Sequence, residues 1–241
     1  MNVPDAALLK TEGLDVCYGK SEIVHGVTMD VAEGEVVALL GRNGAGKTTL
    51  LRAIMGSVSP RAGEIYWRGT SITGLPAHKR AKLGIGYVPQ DRHLFTDLTV
   101  GENLIVVAKQ RDSQAIQDSL DLFPALKERW GRRAGTLSGG EQQMLAIARA
   151  LAVEPSLLII DEATTGLMPI AVEAVQEAVR QLNAERGLAV LLVEERVPFA
   201  TALAHRFFFL EDGKMAFACD AKALMEQPDD PLLRYVGVSR S

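Results

Sequence analysis

The sequence has few cysteines, no long apolar run and no basic tract. Its 2 cysteines, Cys17 and Cys219, lack the spacing of metal ligands, and we expect both to be buried apolar residues in a reducing compartment. No apolar run approaches the ~18–20 residues that cross a bilayer. Residues 1–5 lack the basic and apolar regions of a secretory signal. We therefore expect any membrane association to come through a partner protein.

Charge and composition further limit the kinds of protein that this chain can be. A net charge of −4 without a basic tract makes nucleic acid an unfavourable main ligand. The apolar fraction of 47% and the charged fraction of 23% are ordinary for a globular protein. A length of 241 residues suits one α/β domain, or a core with a modest inserted subdomain.

The most informative segment is 41–48, Gly-Arg-Asn-Gly-Ala-Gly-Lys-Thr, which matches the phosphate-loop pattern G-x-x-x-x-G-K-[ST]. Residues 35–40 before it are typical of a buried strand, and residues 49–55 after it of a helix. This is the context that the pattern needs. Its glycines let successive N–H groups point at a phosphate, which also lies at the positive end of the helix dipole.

Lys47 is expected to reach the β- and γ-phosphates, and the Thr48 hydroxyl to hold Mg²⁺. The chain is therefore expected to bind a nucleoside triphosphate. The residues of this segment that we expect to contact the nucleotide are Gly41, Asn43, Gly44, Ala45, Gly46, Lys47, Thr48 and Thr49.

The remaining pattern predicts an α/β fold. A β-rich start is followed by the phosphate loop, a mainly helical stretch and a return to strands. The capping boxes Thr99-x-x-Glu102 and Ser138-x-x-Glu141 each predict a helix start. Apolar runs at 157–160 and 189–193, separated by a helical stretch, predict parallel strands. Residues 207–210 and 215–218 flank a hairpin signal.

Asp161 and Glu162 follow the apolar run at 157–160. Ligands of open α/β folds bind at the carboxyl edge of the sheet, where such residues lie. Two solvated acids at a strand end are common, but the phosphate loop upstream favours a catalytic role. We expect Asp161 to organise the Mg²⁺ shell and Glu162 to act on the water that attacks the γ-phosphate.

The segment Leu137–Gln142 contains two glycines in the first turn of a helix. Ser138 and Glu141 explain the cap, but each glycine costs about 1 kcal/mol against alanine. Close approach of the backbone to another group would explain them, and free N–H groups at a helix start suit an anion. A second phosphate-binding surface in one small chain implies that it faces the ATP of another subunit.

With these motifs together, the chain resembles the ABC-type ATPases over essentially its whole length. Leu137–Gln142 matches their signature, while the phosphate loop at 41–48 and the acidic strand end at Asp161 and Glu162 match their two Walker motifs. The resemblance implies a P-loop NTPase fold: a RecA-like core sheet, an N-terminal antiparallel β-subdomain and an α-helical subdomain at about 91–153, all within a single domain over 1–241. It also implies that two subunits enclose two ATPs, so that Ser138, Gly139 and Gly140 contact nucleotide in trans.

The resemblance implies roles for two further residues. Tyr18 matches the aromatic residue that stacks on adenine, although an ordinary half-buried strand tyrosine is the alternative. Gln90 matches the glutamine that touches Mg²⁺ and links the nucleotide site to the helical subdomain, although a plain loop residue is the alternative. The expected catalytic set is then Lys47, Gln90 and Glu162, and the expected Mg²⁺ set is Thr48, Gln90 and Asp161.

Segments 34–56, 84–90, 122–129 and 135–149 resemble the smaller ATPase subunit of branched-chain amino acid importers and of related urea and amide importers. The resemblance implies a location at the cytoplasmic face of the cell membrane, through permeases. The implied partners are a sister ATPase or a second copy of the chain, two permeases and, indirectly, a solute-binding protein. Branched-chain amino acids are the first expectation for the solute, with urea or a short amide as the alternative.

Some positions depart from the pattern. Glu195 falls where most ABC ATPases have a histidine that contacts the γ-phosphate. A carboxylate there would be repelled, and we expect it to turn outward and pair with Arg196 or another cation. Ala163 and Met168 also differ from the usual residues. Two alternatives to full ATPase activity therefore stay open. The chain hydrolyses ATP weakly while a partner ATPase supplies the stronger site, or it binds ATP without turnover. A DNA-repair or translation ABC protein is disfavoured, because the chain lacks a coiled-coil insertion, a tandem domain and basic patches.

Overall fold

The computed structural model describes residues 7–19, 21–108 and 113–226. The strands are β1 (Ala7–Tyr18), β2 (Ser21–Ala32), β3 (Val36–Leu40), β4 (Ala62–Trp67), β5 (Thr70–Ser71), β6 (Ile85–Val88), β7 (Leu157–Asp161), β8 (Ala189–Glu194), β9 (Arg206–Glu211) and β10 (Lys214–Asp220). The helices are α1 (Lys47–Ile54), α2 (Ala77–Lys82), α3 (Val100–Ile105), α4 (Gln114–Leu122), α5 (Pro124–Glu128), α6 (Gly139–Leu151), α7 (Pro169–Arg186), α8 (Val197–Thr201) and α9 (Ala221–Glu226).

These strands form two sheets. The first is antiparallel, with the order β2-β1-β4-β5. The second has the order β10-β9-β3-β8-β7-β6, in which β9, β3, β8, β7 and β6 are parallel and β10 pairs antiparallel with β9. This arrangement confirms the predicted P-loop ATPase fold, including the antiparallel N-terminal sheet and the hairpin at β9 and β10.

Both faces of the second sheet are covered, which explains why its central strands are continuous apolar runs. In β3 every residue is buried. Ala38 and Leu40 pack in a core with residues of α6 and α7. Val37 and Leu39 pack in a second core with residues of α1 and the antiparallel sheet. The alternating side chains of β3 therefore hold the helical layer and the antiparallel sheet on opposite faces.

Helices α3 to α6 lie between β6 and β7 in the sequence. The two predicted capping boxes, at Thr99 and at Ser138, are both present and begin α3 and α6. Leu120 of α4 and Phe123, which joins α4 to α5, are buried in the same core as residues of α6. That these helices form a subdomain at about 91–153, within one domain over 1–241, stays a prediction.

Two expectations from composition can be compared with this structure. Cys17 and Cys219 are free and only half-buried, so the expectation that both are buried was wrong. Both lie in strands, β1 and β10. Within the described residues, no helix is both long and apolar enough to span a membrane.

Candidate functional site

The phosphate-loop segment joins β3 to α1 at the carboxyl edge of the parallel sheet. Gly44 and Gly46 have positive φ values of 84° and 104°, and Gly46 is the N-cap of α1. A Cβ on Gly41 would lie 2.5 Å from the carbonyl oxygen of Leu210 in β9. Only glycine, which has no side chain, therefore lets the loop backbone lie this close to β9. The glycines of the pattern are thus required by conformation at two positions and by space at a third.

Lys47 lies inside this loop. Its side chain is 4% exposed, and its Nζ donates to the carbonyl oxygens of Gly41 at 2.8 Å and Arg42 at 3.3 Å. The same ammonium lies 3.9 Å from Oε1 of Glu162. A buried cation at the start of α1 therefore combines with the positive end of the helix dipole, which favours an anionic ligand.

A cleft of about 380 Å³ opens over the loop and the start of α1. It brings together most of the residues that the sequence analysis assigned to the nucleotide, and adds Gln90 and Glu162 from distant parts of the chain. Gly41, Ala45 and Asp161 do not line it. Its lining residues are Ile23, Asn43, Gly44, Gly46, Lys47, Thr48, Thr49, Arg52, Gln90 and Glu162.

Asp161, the last residue of β7, is 2% exposed. Its Oδ2 accepts a hydrogen bond from the Tyr87 hydroxyl at 3.3 Å, whereas Oδ1 is buried and has no hydrogen-bond partner among the described residues. Burial, reinforced by the nearby Glu162 carboxylate, raises the pKa of Asp161 to about 6. Asp161 is therefore not a solvated acid, and a positive charge beside it would offset the cost of its burial.

Glu162 is fixed by several contacts. Its backbone N–H donates to Val193 of the neighbouring strand β8 at 2.8 Å, and its φ of 50° lies in the left-handed region. Its Oε2 accepts from Gln90 Nε2 at 2.6 Å and from Thr165 Oγ1 at 3.3 Å. A non-glycine residue holds such a conformation only when its surroundings support it, and such residues cluster at functional sites.

The donor set of this region fits a magnesium ion. Mg²⁺ prefers hard oxygen ligands and usually takes one or two carboxylates together with phosphate oxygens. The unpartnered buried Oδ1 of Asp161 is such an oxygen, and the side chains of Thr48 and Gln90 carry others at the adjoining cleft.

Ser138, Gly139 and Gly140 lie elsewhere in the subunit. They line a second cleft of about 310 Å³ together with Met168 and Ile170, and no described residue lines both this cleft and the first. Ser138 caps α6 with Glu141, as predicted. A Cβ on Gly140 would lie 2.7 Å from the Ala171 Cβ, while a Cβ on Gly139 would lie no closer than 3.8 Å to Arg92. The packing of α6 on α7 therefore accounts for Gly140 but not for Gly139.

The expectation for Glu195 was wrong in one respect. Glu195 is exposed, as expected, but its Oε2 accepts a hydrogen bond from Asn43 Nδ2 of the phosphate loop at 2.9 Å. It therefore turns towards the loop rather than outward to Arg196. The physical reason is that β8 lies between β3 and β7, so the residue after β8 ends beside the loop that follows β3.

Glu194 was not among the site residues predicted from the sequence. This carboxyl is 1% exposed and accepts hydrogen bonds from the backbone N–H of Thr164 at 3.2 Å and from the Thr164 hydroxyl. Burial, above all, raises its pKa to about 7. Glu194 thereby ties the end of β8 to the loop that follows Glu162. Its position directly after an apolar run is the signal that could have identified it.

Two other contacts were also not foreseen. The Tyr87 hydroxyl reaches Asp161, and Arg92 donates to Gln142 and Gln143 of α6. The prediction that Tyr18 stacks on adenine cannot be compared, because the Tyr18 side chain lies outside the described residues, although its backbone ends β1.

Comparisons with known proteins show which family the chain resembles. A family model described as ABC transporter matches residues 24–165. The chain is 42% identical over 225 residues to the high-affinity branched-chain amino acid transport ATP-binding protein BraG of Pseudomonas aeruginosa, covering 92% of this chain and 96% of that protein. It is 36% identical over 238 residues to the lipopolysaccharide export system ATP-binding protein LptB of Acidithiobacillus ferridurans, covering 95% of each.

Among solved structures, the chain is similar to the dimeric post-hydrolysis state of the ATP-binding cassette MJ0796 bound to ADP and Pi. The TM-score is 0.79 at 27% identity, and the match covers 88% of this chain and 98% of that one.

Proposed function

The chain belongs to the ABC transporter family, and on that premise we propose that it is the ATP-hydrolysing subunit of an importer for branched-chain, hydrophobic amino acids. The family makes it a nucleotide-binding ATPase whose hydrolysis is coupled to transport. The importer proposal rests on greater identity to BraG, at 42%, than to the export protein LptB, at 36%. Urea or a short amide is the alternative solute.

The position of Glu162 is the observation that carries the catalytic proposal. Its carboxylate contacts Gln90 and lies 3.9 Å from Lys47 at the cleft over the phosphate loop. In the proposed reaction a water attacks the γ-phosphorus in line, and the bond to the bridging oxygen of ADP breaks. Glu162 accepts the proton of that water, while Lys47 and the loop amides stabilise charge on the phosphates. The products are ADP and inorganic phosphate.

We assign the Mg²⁺ to Thr48, Gln90 and Asp161. When bound, the ion would supply positive charge that offsets the developing charge on the phosphate oxygens. Asp161 would offer the ion a buried carboxylate oxygen that has no hydrogen-bond partner among the described residues.

The second cleft supports a dimer in which the signature of each subunit reaches the nucleotide of the other. Ser138, Gly139 and Gly140 share no cleft with the phosphate loop of their own chain, so a contact with nucleotide in trans is the simplest role for them. Met168 and Ile170 beside them are 67% and 73% exposed, as expected for apolar residues that a partner covers. The partner is a sister ATPase or a second copy of this chain.

The remaining partners follow from the importer proposal. Two permease subunits would hold the ATPase at the cytoplasmic face of the membrane, and a solute-binding protein would deliver the solute to them. A solute-binding protein encoded beside this chain would give the most direct test of the solute. We expect it to bind leucine, isoleucine or valine in titration calorimetry. Binding of urea or a short amide instead would select the alternative.

Catalysis is tested by Mg²⁺-dependent phosphate release from the purified chain, with Glu162→Gln as the key variant and Glu33→Gln as the control. Glu33 lies before the amino end of β3, opposite the cleft. We expect Glu162→Gln to lower turnover by about 10²-fold or more and to accumulate an ATP-bound dimer, while Glu33→Gln does neither.

Binding of ATP without turnover by the wild-type chain would instead support the hydrolysis-poor alternative. Turnover is then measured again with the sister ATPase added, to learn whether the chain needs a partner for hydrolysis. Equal turnover per site, with and without the sister, would exclude an asymmetric pair.

A further inference from the structure

The phosphate loop carries a carboxylate that the proposed reaction does not use. Glu195 Oε2 accepts a hydrogen bond from Asn43 Nδ2 at 2.9 Å, across 152 residues of sequence. Both residues are exposed, and Asn43 lines the cleft over the loop. The contact therefore holds a carboxylate beside a loop whose Lys47 ammonium and backbone N–H groups attract negative charge.

The strand order places this charge at one end of the cleft. Glu195 follows β8, which lies between β3, the strand before the phosphate loop, and β7, the strand that ends at Asp161 and precedes Glu162. Glu162 is the group proposed to act at the γ-phosphate. Glu195 thus lies on the same side of the phosphate loop as Glu162, where the terminal phosphate is expected.

The Glu195 carboxylate forms a hydrogen bond but no ion pair among the described residues. Asn43 is a neutral amide, and no ion pair within the described ranges includes Glu195. The Lys47 ammonium donates instead to the carbonyl oxygens of Gly41 and Arg42 and lies 3.9 Å from Oε1 of Glu162. No cation therefore forms an ion pair with this carboxylate within the described ranges.

We propose that Glu195, held on the phosphate loop by Asn43, is a nucleotide-discriminating residue that weakens the binding of ATP more than the binding of ADP. The proposal rests on the proposed function of the 41–48 loop as the triphosphate site. Repulsion between exposed charges grows with the charge of the ligand and falls with distance. The terminal phosphate adds charge near Glu195, so ATP experiences the larger penalty.

The test measures nucleotide binding, not turnover. All proteins carry Glu162→Gln so that ATP is not consumed, and affinities for ATP and ADP are measured by titration calorimetry at low salt. Glu195→Gln removes the charge but keeps an oxygen that can accept from Asn43. Glu33→Gln makes the same charge change at the opposite edge of the sheet and is the control.

We expect Glu195→Gln to tighten ATP binding about three- to tenfold and ADP binding by less than about twofold. The difference should shrink in 1 M salt, because screening weakens interactions of exposed charges. Glu33→Gln should change neither affinity. Equal tightening for both nucleotides, or no change for ATP, would overturn the proposal.

A second measurement tests whether Asn43 positions the carboxylate. Thermal unfolding without nucleotide is compared for Asn43→Ala, Glu195→Ala and the double variant, and a coupled pair gives effects that are not additive. Strictly additive effects would overturn the positioning role. If the Glu162→Gln parent binds neither ATP nor ADP, the proposed function itself fails. If the parent binds both and Glu195→Gln leaves the ratio of the two affinities unchanged, only the role of Glu195 fails.

Discussion

Gln90 Nε2 lies 2.6 Å from Oε2 of Glu162, although the two residues are 72 positions apart in the sequence. Gln90 follows β6 and Glu162 follows β7, and these strands are adjacent and parallel. The contact therefore joins the loop that leads towards the helices α3 to α6 with the proposed catalytic carboxylate. Any shift of that loop would be transmitted directly to Glu162.

The first prediction concerns this contact. Gln90→Ala should lower the rate of phosphate release by about 10- to 100-fold, because a misplaced reacting group is costly even when it is still present. Thr165→Val is the matched control, since it removes only the longer 3.3 Å contact to the same oxygen. A single-turnover assay compares the two. An equal loss in both variants would contradict a special role for Gln90.

The second prediction concerns the two signature glycines. Gly140→Ala should lower the free energy of unfolding by about 1–3 kcal/mol, because the new Cβ would overlap Ala171 at 2.7 Å and overpacking is destabilising. Gly139→Ala has no comparable clash, with its nearest atoms 3.8 Å away. It should be neutral or stabilising by up to about 1 kcal/mol. Urea unfolding measures both, and the reverse ranking would be inconsistent with the packing of α6 on α7.

The third prediction concerns pH. Because the pKa of Glu194 is raised to about 7 from 4.5, the folded chain binds more protons than the unfolded chain between these values. The contribution of Glu194 to stability is therefore greatest below about pH 4.5 and falls as pH rises to about 7. Above that range it is constant.

Glu194→Gln should flatten this part of the stability profile, which we expect to change by an amount on the order of 3 kcal/mol in the wild-type chain. Unfolding is followed in urea at intervals from pH 5 to pH 8. Glu195→Gln, one position away and exposed, is the control and should keep the slope of the wild-type chain. A profile that keeps its slope in Glu194→Gln would show that other groups cause it.

The fourth prediction concerns Arg80, a buried cation that is 1% exposed. Its guanidinium donates to the carbonyl oxygens of Leu75, Ala53, Ile54 and Thr73 at 2.6 to 2.8 Å. Two of these oxygens belong to the C-terminal end of α1, where a cation also complements the helix dipole.

Arg80→Met should cost about 3 kcal/mol or more in the free energy of unfolding, since it leaves several buried acceptors without donors. Lys79→Met, at the exposed neighbouring position, should change stability by less than about 0.5 kcal/mol. Chemical unfolding compares them. A cost below about 1 kcal/mol for Arg80→Met would mean that water replaces the guanidinium.

The parts of the fold that the sequence predicted are those with local causes. Capping boxes at Thr99 and Ser138, apolar runs at the central strands and the glycine pattern of 41–48 each depend on residues close in sequence. Their structures agree with the predictions. The roles of the predicted site residues, Tyr18 included, stay predictions.

What only the tertiary structure decided depends on which strands are neighbours. The turn of Glu195 towards Asn43 and the pairing of Gln90 with Glu162 both follow from the order of β3, β8, β7 and β6 in the sheet. The burial of Glu194 follows from the same order.

Side-chain contacts of this kind join residues that are dozens of positions apart, so no local pattern contains them. The sequence by itself determined that the chain has a phosphate loop, an acidic strand end and a signature. The order of the strands decided which charged side chains lie beside the phosphate loop, because it sets which side chains meet at the carboxyl edge of the sheet.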